Sequence, residues 1–280
     1  AVIGVRYMID GYADAIGRLR IEERDIRDTH RNMFERTFPR NSKLVFYFIG
    51  LTLYYLNLVF ILGLSTEFAI EGIAVGVGQE FILFPLVYLP LIIDFLITFL
   101  AIHFLLPRRI DKADLRLFFY DPRNMGGFGP VGELFKRSYY AYTAGLLAYF
   151  LLIYGAVLLS TVIESPYPEP GASVAIFFTI AWLIGFSSIA HSMYRVHTIM
   201  KSEKDQRIRR LEERIHAAID NPFDIENAEV IDQETLEDCQ RRLEQVRNTK
   251  EYPTTFTMWS QIIISVLLPQ ALNMAVQAAG

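Results

Sequence analysis

Long apolar stretches alternate with charged stretches along this chain, and the alternation predicts helices that cross a lipid bilayer. Four stretches have the polarity and the length, about 20 residues, that a membrane-spanning helix needs. They cover residues 44–65, 81–106, 139–163 and 172–192. A fifth stretch, 254–280, is less apolar and contains Pro269, so both a kinked span and a re-entrant hairpin remain open for it.

The segments between the predicted spans have the periodicity of amphipathic helices. In residues 1–43, apolar side chains recur at three- and four-residue steps and predict a helix that packs against the rest of the protein. Residues 107–138 connect the second and third spans. In residues 194–253, a break at Asn221-Pro222 and a cap at Asp232 separate two helices. These form either a hairpin within the chain or part of an intersubunit coiled coil. The fold class predicted is therefore an all-α polytopic membrane protein with cytoplasmic helices.

Composition narrows the class of protein further. Of 280 residues, 52% are hydrophobic and 21% are charged, which excludes an ordinary soluble enzyme and a disordered chain. The single cysteine, Cys239, has no partner for an internal disulfide and is expected in the core of the 194–253 hairpin. A net charge of −4 gives no reason to expect nucleic acid as a partner.

The positions of the charged residues predict the orientation in the membrane. All 27 lysines and arginines fall within residues 1–43, 107–137 and 195–250. The positive-inside rule therefore predicts that the N-terminus, the 107–138 loop and the 195–253 segment are cytoplasmic. The C-terminus is outside if the last segment spans. The predicted outer connectors carry only acidic charge, which attracts cations into an outer vestibule or merely keeps the connectors soluble. These acidic residues are Glu67, Glu71, Glu80, Glu164 and Glu169.

Asp94 is the most informative residue of the sequence because it lies in the middle of the second predicted span. An ionised carboxylate at the centre of a bilayer costs about 2.5–3.5 kcal/mol, so it is expected to face a cavity, an ion or a specific donor. The predicted spans contain no lysine or arginine, and a salt bridge to Asp94 is therefore not expected. The functional hypothesis is an ion site on a conduction path, and the structural alternative is a protonated carboxyl that fixes helix packing.

Two further features fit a pore. Pro85 and Pro90 lie in the same span as Asp94, and helices broken by proline at membrane depth often expose carbonyl groups to water or ions. In the last segment, amide side chains spaced three and four apart share one helix face, where they line a pore or join neighbouring helices. These amides belong to Gln270, Asn273 and Gln277.

Other motifs are weaker. The loop that begins at Asp121 contains a formal G-x-G-x-x-G at residues 127–132, but it lies between two membrane spans and not in a βαβ unit, so a nucleotide site is not expected. A turn that holds a lipid phosphate through Arg123, Lys136 and Arg137 fits its position better. His103, His191 and His197 lack ligand partners at metal-binding spacing, so no metal, cofactor or enzymatic activity is predicted.

These observations favour a homo-oligomeric membrane channel that prefers inorganic cations, with Asp94 and Pro90 at its site and cytoplasmic helices for assembly or gating. A second hypothesis is a non-conducting membrane anchor or scaffold whose cytoplasmic helices recruit a partner. A third is a small carrier coupled to protons or metal ions through Asp94 and the histidines. The sequence contains no internal repeat of the kind on which alternating-access transporters are built.

Overall fold

The computed structural model describes residues 1–21, 34, 40–59, 73–113, 115–163, 172–224 and 226–253. These residues are mostly helical, which confirms the predicted class of secondary structure. The helices are α1 (Val2–Arg18), α2 (Arg40–Asn57), α3 (Ile73–Lys112), α4 (Gly129–Ile163), α5 (Ala172–Ala217) and α6 (Gln233–Asn248). Two short antiparallel strands, β1 (Ile219–Asp220) and β2 (Glu229–Val230), join α5 to α6.

Two of the helices are long and apolar enough to cross a membrane. These are α3, with 40 residues, and the 42-residue Ile176–Ala217 part of α5. The apolar part of α2, Lys43–Leu56, is shorter than a full span. The structure thus supports two candidate spans, whereas the sequence predicted four. The predicted fifth segment, 254–280, lies outside the described residues.

Helix α3 continues through its prolines instead of breaking at them. It changes to π-helical hydrogen bonding over Gly78–Tyr88, around Pro85, and again over Ala101–Leu105. In a π-helix the N–H of residue i+5 bonds to the carbonyl of residue i, and such segments often occur at functional sites. The backbone donor that Pro85 lacks is therefore accommodated by a change of helical register.

Exposed apolar side chains are concentrated in one zone of the molecule, which we call the apolar belt. The belt consists of the exposed apolar residues of α2 between Leu44 and Leu56, of α3 between Ile73 and Leu96, of α4 between Tyr149 and Leu152, and of α5 between Ile176 and Phe186. A contiguous apolar surface of this kind is typical of contact with a membrane or a partner protein.

Below the belt the same helices enter a packed core. Phe99 and Ile102 of α3, Phe135 and Tyr139 of α4 and Met193 of α5 are each at most 1% exposed. Helix α1 completes this core by lying antiparallel to α4, with Gly4 against Ala141 and Gly11 against Leu134. We call this cluster the inner core.

The N-terminal helix is amphipathic, but it ends at Arg18, well before the end of the 1–43 segment for which a helix was predicted. Val5, Met8, Tyr12 and Leu19 are buried against the rest of the protein, whereas Ile9 is 41% exposed. The Tyr12 hydroxyl donates to the carbonyl of Phe34 and accepts from Arg109. Burial raises the pKa of Tyr12, and the Arg109 guanidinium partly opposes that rise.

Helices α5 and α6 form the hairpin expected within residues 194–253. Leu211 of α5 packs on Cys239, Leu243 and Val246 of α6, which confirms the core position of Cys239. Asp232 caps α6 by accepting from the backbone N–H of Thr235 at 3.0 Å, and hydrogen bonds from Thr235 lower the pKa of this carboxyl. The faces proposed for an intersubunit coiled coil are thus used within the chain.

Candidate functional site

Asp94 accepts a hydrogen bond from the ammonium group of Lys43, so the expectation that no basic side chain reaches it is wrong. Lys43 precedes the predicted start of the first span and belongs to the first turn of α2, where its long side chain extends to α3. Gly50 of α2 lies against Ile93, one residue from Asp94 along α3.

The Lys43–Asp94 pair lies at the edge of the apolar belt rather than at its middle. On α3, exposed apolar side chains end at Leu96, and the side chains from Ile97 to Phe99 are buried. The Asp94 side chain is 38% exposed and the Lys43 side chain is 40% exposed. Asp94 is thus at the centre of an apolar stretch of the sequence but at the edge of the apolar surface of the folded protein.

Two tyrosines of α2 compensate for the prolines of α3. In π-helical register, the carbonyls of Glu80 and Pro85 would accept from residues 85 and 90, and both of those are prolines without an N–H. The Tyr47 hydroxyl donates to the Pro85 carbonyl at 3.0 Å. The Tyr55 hydroxyl donates to the Glu80 carbonyl at 3.4 Å. The two carbonyls that have no backbone donor because of the prolines thus connect α3 to α2 through the tyrosine hydroxyls. Pro90 therefore has a structural role next to Asp94.

Replacing Tyr47 by phenylalanine should destabilise the α2–α3 pair. The Pro85 carbonyl would lose its donor in apolar surroundings, which costs about 1–3 kcal/mol. The control is Tyr54→Phe, because Tyr54 contacts α3 through ring stacking on Phe84 with centroids 3.6 Å apart. The free energy of unfolding in detergent is the measurement, and an equal loss in both variants would contradict the proline compensation.

A small cavity of about 260 Å³ adjoins Asp94. It is lined by Val5, Arg6 and Ile9 of α1 and by Leu91 of α3, together with Asp94 itself. The walls are mainly apolar, and the charged groups among these residues are one guanidinium and one carboxylate. Arg6 pairs with Asp10 of α1 at 3.9 Å, so Lys43 is the basic side chain that contacts Asp94 and offsets its charge within the chain.

Of the acidic residues predicted for an outer vestibule, the structure describes Glu80. Glu80 lies inside α3 and not in a connector, and it is 9% exposed, which corrects its expected place in an outer vestibule. Seven other residues predicted for the vestibule or the pore lie outside the described part of the chain. They are Glu67, Glu71, Glu164, Glu169, Gln270, Asn273 and Gln277.

The three basic residues predicted to hold a lipid phosphate have different surroundings. Arg123 pairs with Glu133 at 3.0 Å in the loop before α4. Arg137 lies over the ring of Tyr7, with its guanidinium carbon 5.9 Å from the ring centroid. Lys136 is half-buried on α4. Two of the three thus have partners within the chain, and the contact with a lipid phosphate stays a prediction.

The glycine-containing loop before α4 is organised around a carboxylate of its own. Asp121 accepts from the backbone N–H groups of Arg123, Met125 and Gly127 at 3.1, 3.1 and 2.9 Å. Gly126 has a φ of +60° and lies so close to Leu117 that a Cβ atom would be 2.6 Å from that side chain. Because Asp121 already fills the loop, the G-x-G-x-x-G glycines hold a turn and do not form a dinucleotide fingerprint.

His103 is the most deeply buried titratable side chain of the inner core described here. Its Nδ1 lies 2.9 Å from the Ser192 hydroxyl, which itself donates to the carbonyl of Ile189. Nδ1 must therefore carry the proton and donate to Ser192. Nε2 has no hydrogen-bond partner among the described residues. Sequence reasoning had placed His103 at a span end and had not paired it with Ser192.

The histidines do not form a common site in the described part of the chain. The His191 ring stacks on Phe104, with centroids 4.9 Å apart. His197 stacks on Tyr252 with centroids 4.0 Å apart, and its Nδ1 lies 3.0 Å from the carbonyl of Glu251. Within the described residues no group of three or more histidine, cysteine, aspartate or glutamate side chains could hold a metal ion.

The chain matches no known protein family, no curated protein and no solved structure. The residues that sequence reasoning missed, Lys43, Tyr47 and Tyr55, all come from α2. The five-residue spacing of Pro85 and Pro90 is the one sequence signal that could have pointed to donors on a neighbouring helix.

Proposed function

We propose that the protein is a non-conducting membrane anchor that holds a helical unit at the cytoplasmic face of a bilayer. The observation that carries the proposal is the Lys43–Asp94 pair, because it offsets the one acidic charge of the 81–106 stretch within the chain. A carboxylate with a cationic partner within the chain needs neither a permeant ion nor a proton to offset its charge, and loss of that partner is costly.

The apolar belt is proposed to be the part in contact with lipid. On this proposal α2, α3, α4 and α5 each cross the bilayer, with the Lys43–Asp94 pair at the inner interface. Support comes from the charge distribution, because all 27 basic residues lie in segments that this arrangement puts on one side. The inner core, the glycine-containing loop and the α5–α6 hairpin are then cytoplasmic.

The packing of the inner core favours an anchor over a pore through a single chain. Directly below Asp94, the space between α3, α4 and α5 is filled by Phe99, Tyr139 and Ile189, all of them at 0% exposure. A hydrated ion moving along these helices would have to displace close-packed aromatic side chains. A pore at a symmetry axis between chains, lined by the C-terminal amides, stays a prediction, as do homo-oligomerisation and the carrier hypothesis.

The experiment that tests the proposal is flux through the purified protein in liposomes. We expect cation and proton fluxes no greater than those of empty liposomes, with a pore-forming peptide added afterwards to show that the vesicles are sealed. The same assay is run on Asp94→Asn, with its assembly state measured in parallel. Flux through the wild-type protein that this variant abolishes without a change in assembly would overturn the anchor and establish the channel. Saturable, pH-driven uptake would establish the carrier.

A further inference from the structure

The α5–α6 hairpin carries large apolar side chains on the surface of its turn. We call residues 218–231 the hairpin tip; they comprise β1, the connecting turn and β2, and the structure describes all of them except residue 225. Phe223 is 89% exposed, Ile231 is 70% exposed and Val230 is 46% exposed. Single apolar side chains are usual on a protein surface, but three within one short hairpin form a patch that is suited to contact with a partner.

A depression of about 510 Å³ lies beside Phe223. Its walls come from the end of α5, from β1 and from the turn, and they include His216, Ile219 and Pro222. Ile219 is directly opposite Val230 in the two-stranded sheet, so Val230 extends the apolar surface beyond the depression. A surface of this shape can receive an apolar anchor side chain, which is the kind of contact that contributes most to binding between proteins.

Contacts within the hairpin tip hold these apolar side chains in place. The backbone N–H of Ile231 donates to the carbonyl of Ala218 at 2.9 Å. In the turn, the Asp224 carboxylate accepts from the backbone N–H of Glu226 at 3.2 Å and from the side-chain amide of Asn227 at 2.7 Å. Because the tip is already ordered, a partner that binds it does not have to offset the entropy of ordering it.

The charge around the apolar surface is acidic. Residues 217–240 contain eight aspartates and glutamates and no lysine or arginine, in a chain whose net charge is −4. Seven of the eight are exposed, among them Glu226 in the turn and Glu229 in β2. Interfaces between proteins pair surfaces of opposite charge, so the acidic surroundings of the tip favour a partner with basic side chains.

The position and the charge of the hairpin tip favour a protein over a lipid surface or a nucleic acid. Helix α5 continues from Phe186, its last exposed apolar residue in the belt, to Ala217. This stretch corresponds to about 46 Å of helix at about 1.5 Å per residue, so the tip projects away from the belt. Its carboxylates also repel the anionic headgroups of a bilayer and the phosphates of a nucleic acid.

We propose that the hairpin tip binds a basic amphipathic segment of a partner protein. The apolar side chains of that segment contact Phe223 and enter the depression beside it, and its lysines and arginines face the surrounding carboxylates. The inference names the class of partner that the anchor holds, and it rests on the proposed anchor function for the side of the membrane on which the tip lies.

Equilibrium binding to the full-length protein in phosphatidylcholine nanodiscs tests this inference, with empty nanodiscs as the reference. The probe is an amphipathic peptide of lysine and leucine. Two comparison peptides have serine in place of leucine, or glutamate in place of lysine. The lysine–leucine peptide should bind, with an affinity that falls as salt is added. Both comparison peptides should bind more weakly by about tenfold or more, because each lacks one of the two kinds of contact.

Substitutions at the tip should weaken this binding, whereas matched substitutions elsewhere should not. Phe223→Ser should weaken it by about tenfold or more, because it removes the apolar anchor contact. Its control is Phe118→Ser, at an aromatic residue that is 49% exposed in the loop between α3 and α4. Glu229→Gln should weaken binding by about two- to fivefold and reduce its salt dependence. Glu244→Gln is the control for charge, since Glu244 is exposed in the second half of α6.

Other outcomes would overturn the proposal. Absence of binding by the lysine–leucine peptide, or equal effects of a tip variant and its control, would show that the tip has no specific site. Equal binding of either comparison peptide would exclude a basic amphipathic partner. A change of oligomeric state in Phe223→Ser would assign the tip to contact with a second copy of this chain. Thermal melting controls for folding, and Val230→Ser replaces Phe223→Ser if the latter melts early.

Failure of this inference and failure of the anchor function are distinguishable. Flux through the wild-type protein in liposomes would overturn the anchor and leave peptide binding at the tip unchanged. Absence of specific peptide binding would overturn the partner class and leave the flux result unchanged.

Discussion

Gly185→Val is expected to unfold the contact between α4 and α5, with a loss of about 3 kcal/mol or more in the free energy of unfolding. A Cβ atom at position 185 would lie 2.5 Å from Cε1 and 2.8 Å from Cδ1 of Tyr142. At these distances the ring or the helix must move. The position therefore requires glycine because of the close approach, although its backbone is ordinary α-helix.

The ring of Tyr142 is held on two further sides and cannot move at low cost. Its hydroxyl donates to the carbonyl of Ala181 at 2.8 Å, one turn before Gly185. Its other face stacks on Phe99, with centroids 4.4 Å apart, and Phe99 is 0% exposed. A displaced Tyr142 would break the buried hydrogen bond and disturb the inner core at the same time.

Gly155→Val is the matched control for this prediction. Gly155 also lies in a helix, α4, but among the described residues a Cβ atom there would meet no atom of another element within 4 Å. Valine at position 155 should change the free energy of unfolding by about 0.5 kcal/mol or less, since only helix propensity is involved. Unfolding by denaturant in detergent measures both variants, and similar losses at the two positions would show that Tyr142 does not approach Gly185 closely.

The second large effect expected is an energetic coupling of about 2 kcal/mol between Lys43 and Asp94 in a double-mutant cycle. The variants are Lys43→Met, Asp94→Leu and the double substitution. Breaking a fully buried pair costs about 3–5 kcal/mol, and a pair exposed to water contributes at most about 1 kcal/mol. The Lys43 and Asp94 side chains are 40% and 38% exposed. The coupling energy therefore depends on whether their exposed parts face lipid or water.

The Arg123–Glu133 pair is the control that shows whether the surroundings of Lys43 and Asp94 are lipid or water. Its side chains are 56% and 37% exposed, which is similar, but it lies at the start of α4, far along that helix from the apolar belt. The cycle with Arg123→Met and Glu133→Leu should give a coupling below about 1 kcal/mol. Both double-mutant cycles are measured after reconstitution of the protein into lipid vesicles, and their coupling energies are compared. Equal couplings for the two pairs would mean that Lys43 and Asp94 face water and that the inner edge of the bilayer lies elsewhere.

Comparison of the predicted and observed elements shows what local patterns can predict here. The burial of four residues of α1 follows from helical periodicity, because they lie on the face of the helix that packs against the rest of the protein. They are Val5, Met8, Tyr12 and Leu19. The Asp232 cap and the burial of Cys239 were predicted for the same reason, since both depend on residues within a few positions along the chain. Orientation, the number of spans and the pore residues remain predictions.

The errors concern contacts between helices. The sequence predicted an uncompensated Asp94, because the predicted spans contain no basic side chain and Lys43 is one residue outside them. It did not predict the π-helical register around Pro85, because that register is accompanied by hydroxyl donors from a neighbouring helix. It also expected Glu80 in a loop, although α3 begins earlier, at Ile73.

The sequence by itself determined that this protein is helical, that its apolar and basic segments alternate, and where its amphipathic faces and one helix cap lie, because these properties depend on neighbours three or four residues away. Only the tertiary structure decided that Asp94 pairs with Lys43, and that tyrosines of α2 donate to the α3 carbonyls that lack a backbone donor because of the prolines. Those features join residues that are tens of positions apart, and their geometry depends on how the helices pack.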